Sequence, residues 1–170
     1  MNPLSILPIL TTIRKEIAIA AGPHSLTLRQ GQDFEFHVRL MANTQASYSA
    51  LPEPLVYKTN RPGSQSGDRL EVWTEMLQAL GLLSESISKR YSDSLAECAN
   101  KIGSILFQLG HRPHAKEAFQ LARRLGTARF SQDPLLYRSC ARAFGPEVTE
   151  TIAAYYRALL PNALRRWVRG

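Results

Sequence analysis

The rhythm of hydrophobic and polar positions along this chain changes near Gly67. Before it, β-branched residues, prolines and short apolar runs alternate. After it, long stretches rich in Leu, Ala, Arg and Glu carry helical spacing. Ile6 to Ile13 reads as a buried strand whose edge is marked by Pro8. Arg14 to Ala21 suits a short helix stopped by Gly22 and Pro23. Ala46 to Ala50 and Pro54 to Thr59 read as short strands, and Asn60 to Gly67 as a loop. Asp33 to Leu40 is ambiguous. Phe34, Phe36, Val38 and Leu40 alternate with Glu35, His37 and Arg39, a period of two that favours a strand. A carboxylate at Asp33 could equally open a helix, by accepting orphan backbone N–H groups.

Beyond Gly67, Leu70, Trp73, Met76, Leu77 and Leu80 stand three and four apart. They predict an amphipathic helix over Asp68 to Leu80, with Gly81 at its end. A more specific pattern follows. Ala99, Ile102, Gly103, Leu106, Gly110, Ala115, Phe119 and Ala122 fall at the offsets of a tetratricopeptide repeat, a helical hairpin of about 34 residues. Small residues let its two helices approach, while Ile102, Leu106 and Phe119 fill the seam. Thr127 stands where proline is usual. One repeat length further on the same offsets meet Asp133 and Tyr137 and fail, so a single hairpin is expected, its apolar faces covered by flanking helices. The tail interleaves Ile152, Ala153, Tyr156, Leu159, Leu160, Leu164, Trp167 and Val168 with Arg157, Arg165, Arg166 and Arg169, and Pro161 divides it into two helices.

Composition narrows this picture. With 44% hydrophobic residues in 170, a packed core is expected. No apolar run approaches the ~20 residues that span a bilayer. Met1 to Leu10 is apolar but holds two prolines and lacks a basic start, so it does not read as a secretory signal. Cys98 and Cys140 are far apart and fit a reducing compartment, which places the chain in the cytoplasm. His111 and His114 lie in a loop with no carboxylate or cysteine beside them, so no metal site is expected. The net charge of +7 favours anionic partners. No recognition helix or RNA-binding motif appears, so nucleic acid is not among the expected partners. The basic, aromatic stretch from Tyr155 to Arg169 suits either peripheral attachment to the inner membrane or a terminal helix packed on the bundle with a solvated basic face.

A resemblance runs through residues 10–66. Its text is Thr12-Ile13-Arg14-Lys15-Glu16, Ala21-Gly22-Pro23, then Leu28-Arg29-Gln30-Gly31-Gln32-Asp33-Phe34-Glu35-Phe36-His37-Val38-Arg39-Leu40. Leu51-Pro52-Glu53-Pro54-Leu55-Val56-Tyr57-Lys58 and Pro62-Gly63-Ser64-Gln65-Ser66 complete it. In order and spacing this resembles the second half of the catalytic domain of family 2 glycosyltransferases, and the appended helices resemble extensions of bacterial members. The resemblance implies inverting transfer of a sugar from a nucleotide-sugar donor to a glycan, a lipid-linked acceptor or a related hydroxyl. It makes Asp33 the general base, at the start of a helix rather than in a strand; the plain alternative is a helix N-cap. Gln32, standing where the family has a glutamate, is expected to bind substrate, and Arg39 to pack or pair structurally. Lys58 and Arg61 would contact the diphosphate, unless they are solvated loop charge. A complete enzyme of this kind is expected to use a divalent cation, manganese or magnesium. This chain has no Asp-x-Asp element; its aspartates are Asp33, Asp68, Asp93 and Asp133. No cofactor is therefore expected in the chain itself, and it should be nearly inactive alone, as a fragment, a truncated product or one half of a complex.

The resulting expectation is an α-rich α+β protein. A partial α/β glycosyltransferase half with short strands and two helices would occupy 1–66. A helical extension would fill 67–129, with the tetratricopeptide-like hairpin at 96–129, and basic amphipathic helices would follow over 130–170. The alternative function is a non-catalytic helical protein-interaction module built on the hairpin.

Overall fold

The computed structural model describes residues 11–44, 47–49, 69–126 and 135–159. Seven α-helices run through them: α1 (Lys15–Ala21), α2 (Gln32–Asn43), α3 (Arg69–Ser86), α4 (Ser92–Gln108), α5 (Arg112–Leu125), α6 (Leu135–Phe144) and α7 (Pro146–Leu159). A single 3₁₀ turn, Lys89–Tyr91, precedes α4. Of the described residues 79% are helical and none lies in a strand, so the fold class is all-α. This corrects the expected α/β half. Of the predicted strand Ile6 to Ile13, residues 11–13 form no regular element, nor do residues 47–49 of the strand Ala46 to Ala50. The rest of both, the strand Pro54 to Thr59 and the loop Asn60 to Gly67 lie outside the described residues.

The chain divides into two compact units, Met1–Leu95 and Ala96–Gly170, with the division inside α4. In the first, α1 ends where Gly22 takes φ 80° and its N–H returns to Ile19 O at 3.0 Å. Ala21, Phe36 and Leu40 form a core cluster against which Ile13, Ile17 and Ala18 pack. Helix α2 also packs on α3.

The period-two alternation of Asp33 to Leu40 misleads for a specific reason. A strand would turn Glu35 and His37 outward; in α2 they are 4% and 6% exposed, buried beside Phe34 and Phe36. Polar side chains face inward here because each has a partner, so hydropathy alone assigns the wrong period.

Helix α3 does not stop at Gly81 but continues to Ser86. Glycine inside a helix costs about 1 kcal/mol relative to alanine. Leu80 and Leu83 are completely buried on either side of it, and each such burial is worth about 1.5–3 kcal/mol, so packing outweighs propensity.

In the second unit α4 and α5 form the predicted hairpin. Ala99, Ile102, Leu106, Ala115, Phe119 and Ala122 are all at most 1% exposed. The turn between the helices uses Gly110 at φ 84°. Its N–H bonds Phe107 O at 3.0 Å, and the His111 N–H bonds Leu106 O at 2.9 Å, the paired closure that a left-handed glycine permits. Pro113 lies in the first turn of α5, where a missing N–H costs nothing. Helices α6 and α7 pack on each other, separated by Gly145 alone, and α7 also packs on α5.

Candidate functional site

Asp33 lies in the first turn of α2 and is exposed. Its carbonyl accepts from His37 Nδ1 at 2.6 Å, while no hydrogen bond or ion pair holds its carboxylate among the described residues. The cap position belongs to Gly31, at φ 75°, and no side chain caps the helix. Gln32 is half-buried, and its Nε2 donates to Leu28 O. Lys58 and Arg61 lie outside the described residues. The two described candidates are thus neighbours on one helix start, and among the described residues no cation, histidine ring or second carboxylate is hydrogen-bonded or ion-paired to the Asp33 carboxylate. The negative charge there favours the helix electrostatically, whatever else it does.

More elaborate polar geometry surrounds residues that carried no catalytic expectation. Arg39 forms a fork on Glu35, with Nε to Oε1 at 2.6 Å and Nη2 to Oε2 at 3.1 Å. The same guanidinium donates to Ala21 O, and to Pro23 O at 2.7 Å. It thereby ties α2 to the carbonyls left open at the end of α1. The structural pairing expected of Arg39 is present. Its sequence signal is the i, i+4 spacing of Glu35 and Arg39 on a helix. Phe36 stacks on the His24 ring, centroids 4.3 Å apart. His37 donates from Nδ1 to the Asp33 carbonyl, and its Nε2 is hydrogen-bonded to Thr11 Oγ1 at 2.9 Å. Each of these polar groups is engaged in closing the first unit.

The second unit has a comparable cluster. Tyr137 on α6 donates to Glu150 Oε1 on α7 at 2.7 Å, and its hydroxyl lies 3.4 Å from Ser104 Oγ on α4. Glu150 and Thr149 are buried. These contacts, with Arg123 to Glu147 at 3.7 Å, seat α6 and α7 on the hairpin. His111 and His114 are 6.2 Å apart between ring centroids, and no group of three metal-binding side chains occurs among the described residues. Burial pushes the Cys98 thiol pKa up; Glu97 adds to the rise and Lys101 opposes it.

The most unusual surface is apolar. On α7, Ile152 is 50% exposed, Tyr155 70%, Tyr156 61% and Leu159 83%. With the exposed Val148 they fall on an arc of roughly 100° along one helix. The opposite face of α7 is packed through Pro146 and Glu150, and buried Thr149 borders the stripe. Scattered single apolar side chains on a surface are ordinary; a contiguous stripe with two aromatics is not. Helix α6 adds exposed Leu135, Leu136 and Phe144. Charge is equally uneven: residues 96–170 hold 12 of the 21 basic side chains and 5 of the 14 acidic ones, so the entire +7 falls there. No helix among the described residues is long and apolar enough to cross a membrane.

No family model matches the chain, and neither a curated protein nor a solved structure does. Together with the absence of strands among the described residues, this overturns the resemblance to family 2 glycosyltransferases: nothing supports that fold here.

Proposed function

We propose that this chain is a non-catalytic helical interaction module. The tetratricopeptide-like hairpin is its rigid scaffold, and the outward face of α6 and α7 is its contact surface. The observation that carries the reading is the stripe of Ile152, Tyr155, Tyr156 and Leu159, exposed on a unit whose hairpin seam is otherwise fully closed. Leaving that much apolar surface in water contributes nothing to folding, so its use lies in being covered by something else. The polar side chains that could suggest catalysis are engaged in structure: Glu35 and Arg39 with each other, His37 with Thr11 and a backbone carbonyl, Tyr137 with Glu150.

The reading separates surface from core experimentally. Replacing Ile152 and Leu159 together by glutamate should leave the melting temperature within about 2 °C, as expected of surface positions. A fall of more than about 8 °C would show that these side chains belong to the core, and the interaction surface would be lost with it. Calorimetric titration of the full chain with uridine or guanosine diphosphate, with and without manganese, should give no binding heat. Metal-dependent binding would overturn the non-catalytic half of the reading.

A further inference from the structure

The interaction surface needs an occupant, and the chemistry around it selects one. Helices α6 and α7 carry two carboxylates, and neither falls within the apolar arc of α7. Glu147 is 3.7 Å from Arg123, and Glu150 is buried with Tyr137 on its Oε1. Helix α6 carries Arg138 and Arg142 with no acid, and Arg142 is exposed. What α6 and α7 present outward is therefore cationic and apolar.

The apolar stripe of α7 runs along one helix. It pairs aliphatic side chains with Tyr155 and Tyr156. Tyrosine buries its ring while its hydroxyl stays wet, the property that places it at the level of lipid headgroups. An amphipathic helix of this kind lies in the interface plane with its apolar arc in the acyl boundary, strengthened by nearby cations when the lipids are anionic.

From this juxtaposition, a one-sided apolar and tyrosine stripe on α7 within the unit that holds all the net positive charge, we infer that the outward face of α6 and α7 docks on an anionic lipid bilayer surface. The inference rests on the interaction-module reading above and names its partner. Docking is peripheral and salt-sensitive, since the electrostatic part acts through solvent.

The test is co-sedimentation of the full chain with vesicles of phosphatidylcholine alone and of phosphatidylcholine mixed with phosphatidylserine. The chain should pellet with the mixed vesicles only, and salt of about 1 M, where the screening length is ~3 Å, should release it. Ile152→Glu with Leu159→Glu should weaken binding by about tenfold or more while circular dichroism stays unchanged. Arg138→Gln with Arg142→Gln, which leaves the stripe intact, should reduce the preference for phosphatidylserine by about tenfold. Failure to pellet with mixed vesicles, or equal pelleting of the glutamate variant, overturns the inference. Light scattering that shows a dimer abolished by the same glutamates would assign the face to a second copy: the lipid inference falls and the interaction surface stands. A glutamate variant that does not fold overturns both.

Discussion

Gly103 sits where α4 meets α5, and adding one methyl group there sets two effects of opposite sign against each other. Alanine at a helix-interior glycine normally stabilises by about 1 kcal/mol. At this position an added Cβ would stand 2.6, 2.7 and 3.0 Å from Cε1, Cδ1 and Cζ of Phe119. Ordinary carbon contacts are about 3.5–4.0 Å. The Phe119 ring is fully buried, and Ile102, Leu106, Ala115 and Ala122 are at most 1% exposed, so the ring cannot give way by swinging into solvent without losing its burial. Overpacking of a closed core costs about 1–3 kcal/mol. The packing penalty should win, giving Gly103→Ala a net destabilisation of up to about 2 kcal/mol, or up to roughly 8 °C in Tm. Urea unfolding followed by circular dichroism measures it, with the midpoint falling at unchanged m. Phe119→Leu should partly relieve the clash, so the double variant should be less destabilised than the two single effects combined, by about 0.5 kcal/mol or more. A rise in Tm for Gly103→Ala, or strict additivity with Phe119→Leu, would refute the close approach of the two helices.

Two further outcomes probe the polar contacts. Arg39→Met should cost about 3–5 kcal/mol, because it strands the nearly buried Glu35 carboxylate and opens the bonds to Ala21 O and Pro23 O; a loss below about 1 kcal/mol in urea unfolding would show the latch to be incidental. Cys98 should alkylate with iodoacetamide more slowly at pH 8 than in the urea-unfolded chain, since its raised pKa keeps the folded thiol protonated while the unfolded one has begun to ionise. By the same sign, its contribution to stability is complete below the unfolded pKa and is lost as pH rises through the higher folded value; equal folded and unfolded reactivity would contradict this.

Legibility followed whether a residue's role depends on local spacing or on distant partners. The hairpin was readable because small and large apolar residues at fixed offsets constrain how two helices pack, and Ala99, Ile102, Leu106, Ala115, Phe119 and Ala122 are all closed in the fold. Helix α1 was readable from Gly22 and Pro23. The far end of α3 was not, since the glycine signal at position 81 is local while the burial of Leu83 comes from tertiary packing. The bond from Tyr137 to Glu150 was invisible too: thirteen positions separate them across a helix break, and no periodicity links a tyrosine to a buried acid. For the stretch that holds the outward stripe of α7, the spacing left two readings open, an interfacial face and a helix packed on the bundle. Amphipathicity says which residues share a face, but not whether that face is covered.

The glycosyltransferase resemblance failed at the feature that made it attractive. Gly31, Gln32 and Asp33 read as an acidic turn opening a helix, and a helix does open there. Every part of that text has a sufficient cause in helix initiation. Gly31 takes a positive φ that a side chain would resist, and its carbonyl accepts the first intrahelical bond, from the Glu35 N–H at 2.9 Å. Asp33 and Glu35 place negative charge in the first turn, where the N–H groups are unsatisfied. Arg39 follows one turn after Glu35 because the fork between them closes the end of α1. The same short string can thus be written by the electrostatics of a helix start alone. Catalysis would need the chain to bring a cation, a base or a second acid to the Asp33 carboxylate, and among the described residues none is hydrogen-bonded or ion-paired to it. A motif of this length specifies a backbone geometry; a reaction needs convergence from other elements, and in this chain the convergent polar groups close the core instead.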